Sequence, residues 1–206
     1  MHAILRSLFI AGVVALGPVS LAQTVTASFD DLSDPPAANS SKGLFYANGD
    51  SHVYLGITWD ERFKVVGGDY RIDSGTPGGP LYGIPTSGHY FVTSERDDPD
   101  NDRLLITTPM LLTGAWFGRN AYYGFDAGGA DQITIRALSG SQVLKSVVFN
   151  LPDPFPGKPA PLQFVDTSAF AALSGITGYR IDRQALGDKN GHWVADDFGL
   201  VPASPG

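Results

Sequence analysis

Short runs of β-branched and aromatic residues, separated by glycine and proline, constrain this chain more than any other feature. The 206 residues include 25 Gly and 15 Pro, which are spread along the whole length. The runs between them, such as residues 63–66, 104–107 and 133–138, have the composition of strands and are too short for ordinary helices. About ten such runs can be recognised, which suits two packed sheets better than one. The sequence therefore predicts an all-β protein, a two-sheet antiparallel sandwich.

Two stretches predict local structure in more detail. Hydrophobic residues alternate along residues 53–59, which predicts a single strand with four side chains on one face: Val53, Leu55, Ile57 and Trp59. Residues 167–173 have a helical pattern, with Phe170 and Leu173 toward the core. We therefore expect one short helix beside the sandwich.

Two β-like runs near the ends of the chain each contain an aromatic residue beside two aspartates. These runs are residues 24–31 and 193–198, and we expect them to be neighbouring strands that close one sheet. Because side chains alternate across a strand, Asp31 should lie on the inward face of the first run. Asp196 should likewise share the inward face of Val194 and Phe198.

An inward carboxylate needs a partner, because uncompensated burial of a charge costs several kcal/mol. Calcium prefers carboxylate oxygens, and one structural Ca²⁺ shared by the two aspartate pairs would satisfy both strands. Its ligands would be Asp31 and Asp196, together with Asp30 and Asp197. Hydrogen bonds from backbone N–H groups are the alternative.

A second acidic cluster is a weaker candidate for calcium. It alternates along the chain as Asp98, Asp100 and Asp102. Counted from Asp98, however, Arg103 and Pro109 stand where the EF-hand loop has its glycine and its final glutamate. A hairpin tip kept soluble by charge explains the cluster equally well.

In these end runs the chain resembles a group of secreted β-sandwich proteins of bacteria and fungi. The resemblance rests on the FDDL sequence at 29–32, LGITW at 55–59, TGAWF at 113–117 and the ending WVADDF at 193–198. It implies a jelly-roll-like sandwich, in which the aspartates occupy a position similar to the structural calcium site of many carbohydrate-binding jelly rolls. Bacterial members often carry a carboxy-terminal sorting tail; only residues 201–206 follow the last run here, so we expect release rather than surface anchoring.

The first 22 residues have the pattern of a secretory signal peptide. Arg6 precedes an apolar run at 8–16, and residues 20–22 form a small-x-small cleavage site. The apolar run is too short to span a membrane, so we expect no membrane insertion after cleavage. Residues 23–206 are sufficient for one domain with a substantial core, and we expect a single secreted β-sandwich.

Charge and cysteine content exclude several functional classes. The formal net charge is −7 at pH 7, and an acidic chain with no basic cluster repels phosphate backbones, which argues against nucleic acid as a partner. The chain has no Cys, so disulfides, thiolate metal sites and cysteine nucleophiles are impossible.

Tyrosines in glycine-rich or polar surroundings are the candidate ligand surface, because an aromatic face can stack on a sugar ring. With their basic neighbours these candidates are Tyr82, Tyr122, Tyr123, His89 and Arg119. Ordinary surface tyrosines without a ligand are the alternative interpretation.

The sequence lacks recognisable catalytic spacing, including GxSxG and HExxH. This favours a non-catalytic carbohydrate-binding-like module that acts on an extracellular or cell-wall polysaccharide. One alternative is a polysaccharide lyase or hydrolase, with Tyr82 or Tyr90 and His89 as acid and base and Arg119 neutralising a uronate. Another is a structural protein of the matrix or cell surface.

Overall fold

The structure is a computed structural model that describes residues 23–37, 40–68, 85–94, 103–119, 130–152, 162–184 and 193–203. The signal peptide expected at residues 1–22 lies outside these ranges. In the described part, the strands in chain order are β1 (Val25–Ala27), β2 (Ser41–Gly43), β3 (Val53–Tyr54), β4 (Ile57–Trp59), β5 (Phe63–Gly67), β6 (Tyr90–Ser94), β7 (Arg103–Thr107), β8 (Leu111–Arg119), β9 (Gln132–Ser139), β10 (Gln142–Asn150), β11 (Gln163–Asp166), β12 (Gly178–Gln184) and β13 (Trp193–Val201).

These strands form two antiparallel sheets, which confirms the predicted two-sheet sandwich. Within the described ranges the larger sheet has the order β11-β8-β13-β6-β5-β2, and β1 also pairs with β13. The smaller sheet has the order β10-β9-β12-β7-β4-β3. Alternating side chains of the two inner faces fill the space between the sheets.

The expected pairing of the two end strands is confirmed. Val25 lies opposite Leu200, and Ala27 lies opposite Phe198. The first half of β13 pairs on that same side with β6, while its other side pairs with β8. The last described strand is therefore an inner strand of the larger sheet, bonded on both sides.

An aromatic cluster occupies the core between the sheets. Phe198 lies at its centre, with ring centroids 5.3 Å from Trp59, 5.8 Å from Phe117, 6.1 Å from Phe29 and 6.5 Å from Phe63. The pairs meet edge to face, the favoured arrangement of aromatic quadrupoles. All five side chains are buried. The Phe198 ring, from β13 of the larger sheet, therefore packs against Trp59 of the smaller sheet as well as against rings of its own sheet.

The stretch 53–59 is a hairpin rather than the single strand predicted from its alternation. Leu55 and Gly56 both have positive φ, 55° and 74°, as a tight two-residue turn requires. Val53 consequently pairs with Thr58 and is 50% exposed, whereas Ile57 is buried. The prediction failed because alternation cannot show where the chain reverses.

Two short helical segments flank the sheets in the described residues. The helix predicted at 167–173 is a 3₁₀ turn, Ser168–Phe170, and Phe170 is buried as expected. A four-residue helix that the sequence did not predict, α1 (Leu44–Ala47), follows β2 directly. Within the described part of the chain, no helix has the length and apolar character to cross a membrane.

Candidate functional site

The aspartates of the last strand bind backbone N–H groups of a neighbouring segment. Asp196 is fully buried. Its Oδ2 accepts hydrogen bonds from the N–H groups of Thr86, at 2.7 Å, and Ser87, at 3.1 Å. Its Oδ1 accepts from the N–H of Asp197 at 2.8 Å. Backbone N–H groups therefore bind this carboxylate, as in the alternative to calcium that the sequence left open.

A β-bulge directly after Asp196 separates its face of the sheet from that of Phe198. The pairing of β13 with β8 shifts between Asp196 and Gly199, and Asp197 has a φ of 50°. Val194 belongs to a small cluster outside the main core, whereas Phe198 belongs to the main core. Asp196 therefore shares the face of Val194, which lies outside the main core, and not the inward face of Phe198 that the sequence predicted, because the bulge resets the alternation.

Asp30 binds the same segment from the opposite end of the chain. Its Oδ1 accepts from the N–H groups of His89, at 2.7 Å, and Tyr90, at 3.2 Å. Asp197 Oδ1 accepts from the hydroxyl of Ser87 at 2.7 Å. We call these three aspartates, together with residues 86–90, the carboxylate clamp. It ties the start of β6 to both ends of the fold.

Glycine is required at the centre of the carboxylate clamp. Gly88 has a φ of 55°, and a Cβ at this position would lie 1.9 Å from Asp30 Oδ2. Both the left-handed backbone and the close carboxylate exclude larger side chains. The approach of Asp30 to the backbone therefore depends on the missing side chain.

Asp31 does not lie inward as predicted, because Phe29 has a φ of 64° and ends the strand alternation. The Asp31 residue is exposed, and its Oδ1 accepts a hydrogen bond from the Tyr54 hydroxyl at 2.5 Å. Burial and then this hydrogen bond raise the pKa of Tyr54. Asp31 thus orients a buried tyrosine instead of facing Asp196 across the core.

Burial alters the protonation equilibrium of the Asp196 carboxyl. The pKa of this carboxyl is raised from 3.8 to about 7. Burial is the largest cause and the negative charge of Asp197 adds to it, while hydrogen bonds from the N–H groups of Ser87, Asp197 and Thr86 oppose the shift. Desolvation penalises the ionised form more than the N–H donors stabilise it. Near neutral pH the Asp196 carboxyl is therefore close to its protonation midpoint.

The calcium ion stays a prediction. Among the residues that the structure describes, no three Asp, Glu or His side chains gather as a metal site would require. The oxygens of Asp196 already accept N–H groups. The weaker acidic candidates, Asp98, Asp100 and Asp102, lie outside the described residues.

The predicted ligand residues are only partly described. Tyr82, Tyr122 and Tyr123 lie outside the described ranges. His89 is exposed beside the clamp. Arg119 Nε donates to the carbonyl of Leu151 at 3.0 Å, and its Nη1 lies 2.8 Å from Asp131 Oδ1. Its guanidinium therefore joins the end of β8 to the residue before β9 and the residue after β10.

Tyr90, the other predicted catalytic candidate, has a structural contact of its own. Its hydroxyl donates to the carbonyl of Pro36 at 3.2 Å, and its ring packs against the main core. Together with the N–H bond to Asp30, this contact fixes the start of β6. A catalytic role of this hydroxyl stays a prediction.

A cleft lined by ring side chains lies beside α1, where the sequence predicted no site. Leu44 and Ala47 bury one side of this helix, which turns Phe45 and Tyr46 away from the core. The Phe45 ring lies 5.2 Å from that of Tyr46 and 4.5 Å from that of His52. Tyr46 is 61% exposed. We call this cleft, of about 570 Å³, the ring cleft.

Charged side chains form the other walls of the ring cleft: Lys42, Glu61, Arg62 and Lys64. Arg62 binds both oxygens of Asp60, with Nε and Nη2 each 2.7 Å from an oxygen. Burial opposes ionisation of Asp60, but the hydrogen bonds and charge of Arg62 outweigh it and hold the pKa of Asp60 below its ordinary value. The Arg62 side chain of the cleft is therefore held in one position by a two-point ion pair.

A second cleft, of about 520 Å³, shares His52, Glu61 and Arg62 with the ring cleft. We call it the sheet cleft, because its remaining lining includes residues of the smaller sheet: Thr58, Trp59, Leu105 and Thr107. The shared residues make the two clefts adjacent. A ligand longer than one small ring could therefore contact both.

The sequence matches no family model and no curated protein. Among solved structures, the K2 cleaved adhesin domain of Lys-gingipain is similar over 89% of this chain and 98% of that chain, with 16% identity and a TM-score of 0.39. The K1 domain from Porphyromonas gingivalis W83 has the same identity and TM-score, over 89% and 99%. A DUF4465 family protein from Bacteroides ovatus has 9% identity and a TM-score of 0.45, over 87% and 99%. None of these similarities assigns a function to this chain.

Proposed function

We propose that this protein is a secreted, non-catalytic module that binds an extracellular or cell-wall polysaccharide in the ring cleft. The observation that carries the proposal is the group of three contacting rings, one of them 61% exposed, beside charged hydrogen-bonding side chains. An aromatic face offers the C–H face of a sugar a broad apolar contact, while polar groups at its edge bond the hydroxyls. The ring cleft combines both.

The adjacency of the two clefts supports a polymer as the ligand. His52, Glu61 and Arg62 border both clefts. Thr58 and Thr107 then continue the polar lining along the smaller sheet, where they lie opposite each other. Successive sugar units of one chain would therefore find an aromatic contact first and hydroxyl partners next.

The ionised state of Asp60, which lines the sheet cleft, supports binding rather than hydrolysis there. Glycoside hydrolysis needs a carboxylic acid that holds a proton at working pH. Asp60 is held ionised by Arg62, so it cannot serve as that acid. Asp196, whose pKa is raised to about 7, belongs to the carboxylate clamp and is enclosed by backbone donors.

Replacing the most exposed ring tests the proposal. Tyr46→Ala is expected to lower affinity for a bound polysaccharide roughly tenfold, since a stacked ring contributes about 1 kcal/mol or more. Unfolding free energy should change by less than about 0.5 kcal/mol, because the side chain is largely exposed. Isothermal titration with soluble polymers and pull-down with insoluble ones measure the binding.

Phe164→Ala is the matched control, because Phe164 is an exposed aromatic on β11 of the larger sheet and lines neither cleft. Its binding should equal that of the wild type. Absence of binding to any polysaccharide in a broad panel would reject the proposal. Equal losses in both variants would reject the ring cleft as the site.

A further inference from the structure

Two arginines lie directly opposite each other on the solvent face of the smaller sheet. Arg180 of β12 pairs with Arg136 of β9 on one side and with Leu105 of β7 on the other. The neighbours of Arg180 along β12, Tyr179 and Ile181, are fully buried. Alternation therefore directs Arg180 outward, and through Leu105 its row reaches the lining of the sheet cleft.

The two guanidinium groups share one carboxylate. Asp182 Oδ2 lies 2.5 Å from Arg136 Nε, and Asp182 Oδ1 lies 2.8 Å from Arg180 Nε. Arg136 Nη1 also donates to the hydroxyl of Ser146 at 3.1 Å. Like charges directly opposite each other destabilise a sheet. Among the described residues Asp182 is the one carboxylate paired with these two arginines, which leaves one positive charge in excess.

Partial burial strengthens the effect of this excess charge. The side chains of Arg136 and Arg180 are 33% and 23% exposed, and that of Asp182 is 18% exposed. Charges in such surroundings are screened less than those on long, exposed side chains. Each guanidinium has five N–H donors, so both retain donors beyond their contacts with Asp182 and Ser146. A second anion would complete the arrangement.

We infer that the polysaccharide is anionic and that Arg136 and Arg180 bind the carboxylate of a uronate-type sugar unit. This inference rests on the proposed function and narrows its ligand. The planar fork of a guanidinium matches a planar carboxylate through two parallel hydrogen bonds. The excess positive charge lies on a protein of net charge −7, so it favours acidic polymers locally where the molecule as a whole repels them.

Three polymers at one ionic strength separate the possible ligands. Polygalacturonate carries free carboxylates, its methyl-esterified form has the same backbone without charge, and dextran sulfate carries sulfate instead. The wild type is expected to prefer polygalacturonate over the ester roughly tenfold or more, as for one charge-assisted hydrogen-bonded pair. Arg180→Gln and, independently, Arg136→Gln should each lower that ratio roughly tenfold.

Lys145→Gln is the matched control, since Lys145 is an exposed cation on β10, outside the row of arginines. It should leave the ratio at its wild-type value. Circular dichroism confirms that each variant is folded, and Arg136→Gln provides the result if Arg180→Gln does not fold. Arg180→Lys, which keeps the charge without the fork, should recover only part of the preference.

The outcomes separate this inference from the proposed function. Equal affinity for polygalacturonate and its ester, binding of dextran sulfate alone, or equal effects of Arg180→Gln and Lys145→Gln would overturn the inference. If Tyr46→Ala weakens binding while both arginine variants do not, the ring cleft stands and the inference fails. If the arginine variants lower the ratio and Tyr46→Ala has no effect, the inference stands and the ring cleft fails. Binding of no polymer rejects both.

Discussion

Raising the pH from 5 to 8 should destabilise this protein through Asp196. Burial raises the pKa of its carboxyl from 3.8 to about 7 in the folded state. Between these two values the folded chain holds one proton more than the unfolded chain, so the free energy of unfolding falls as the pH rises. The free energy of unfolding falls by about 1.36 kcal/mol for each pH unit in this interval. From pH 5 to the folded-state pKa of about 7, the total loss is roughly 2.5 kcal/mol.

Asp196→Asn isolates this contribution, because its side chain has no proton to exchange. Urea unfolding of both proteins at pH 5, 6, 7 and 8 should show the wild type losing roughly 2.5 kcal/mol relative to the variant. Groups that titrate elsewhere cancel in the comparison. Glu61→Gln, which removes an exposed carboxylate, should follow the wild-type curve.

The same experiment tests the calcium prediction. A bound cation would favour the ionised carboxylate and lower the pKa of Asp196. The relative stability of the wild type would then stay level or rise toward neutral pH, and a chelator would lower its unfolding midpoint. A level or rising curve refutes the raised pKa of Asp196, and sensitivity to a chelator would identify a metal as the partner of the ionised carboxylate.

Two substitutions test the packing around the clamp and in the core. Gly88→Ala should cost roughly 2 to 3 kcal/mol in urea unfolding, because strain at φ 55° adds to the overlap with Asp30. Gly140→Ala, at φ 56° with open space around it, should cost only about 1 kcal/mol, and equal costs would show that the overlap is relieved. Phe198→Ala should cost about 3 to 5 kcal/mol at the centre of the aromatic cluster, against less than about 1 kcal/mol for the exposed Phe164→Ala; similar losses would contradict the central role of Phe198.

The composition of the runs, and the glycine and proline residues between them, were sufficient to predict most strands. The run predicted at 133–138, for example, lies within one residue of each end of β9, because it is long and bounded by turn residues. The short strands β2 (SKG) and β11 (QFVD) were missed. SKG has little β propensity and QFVD has only Phe164 and Val165 to favour a strand, so pairing with the neighbours β5 and β8 decides their structure.

The sequence indicated the aspartate pairs that supply the carboxylate clamp but not the backbone geometry that positions them. The aspartate pairs marked the right region, and alternation correctly placed Asp196 with Val194 on one face. Alternation failed at Phe29 and Asp197, where positive φ changes the direction of the chain. Such a change depends on tertiary hydrogen bonds, here with residues 86–90, which no local pattern reports.

The ring cleft had no usable sequence signal. A helix of four residues is too short to give a periodic pattern. The contact between Phe45 and His52 arises only when the chain returns from α1 toward β3. Exposed aromatic residues beside a short polar strand were therefore indistinguishable from loop residues.

The position of β13 in the larger sheet sets the order in which the molecule can assemble. A ribosome makes residues 193–201 after every other described strand, yet β8, β6 and β1 have no complete ladder until these residues arrive. Until β13 is made, β1, β6 and β8 lack this hydrogen-bonding partner in the larger sheet. Folding therefore depends on contacts between segments that are distant in the sequence, and such contacts are slow to form. A chain that ends before Trp193 would expose the facing edges of β8 and β6, which are templates for aggregation, rather than retain most of the native fold.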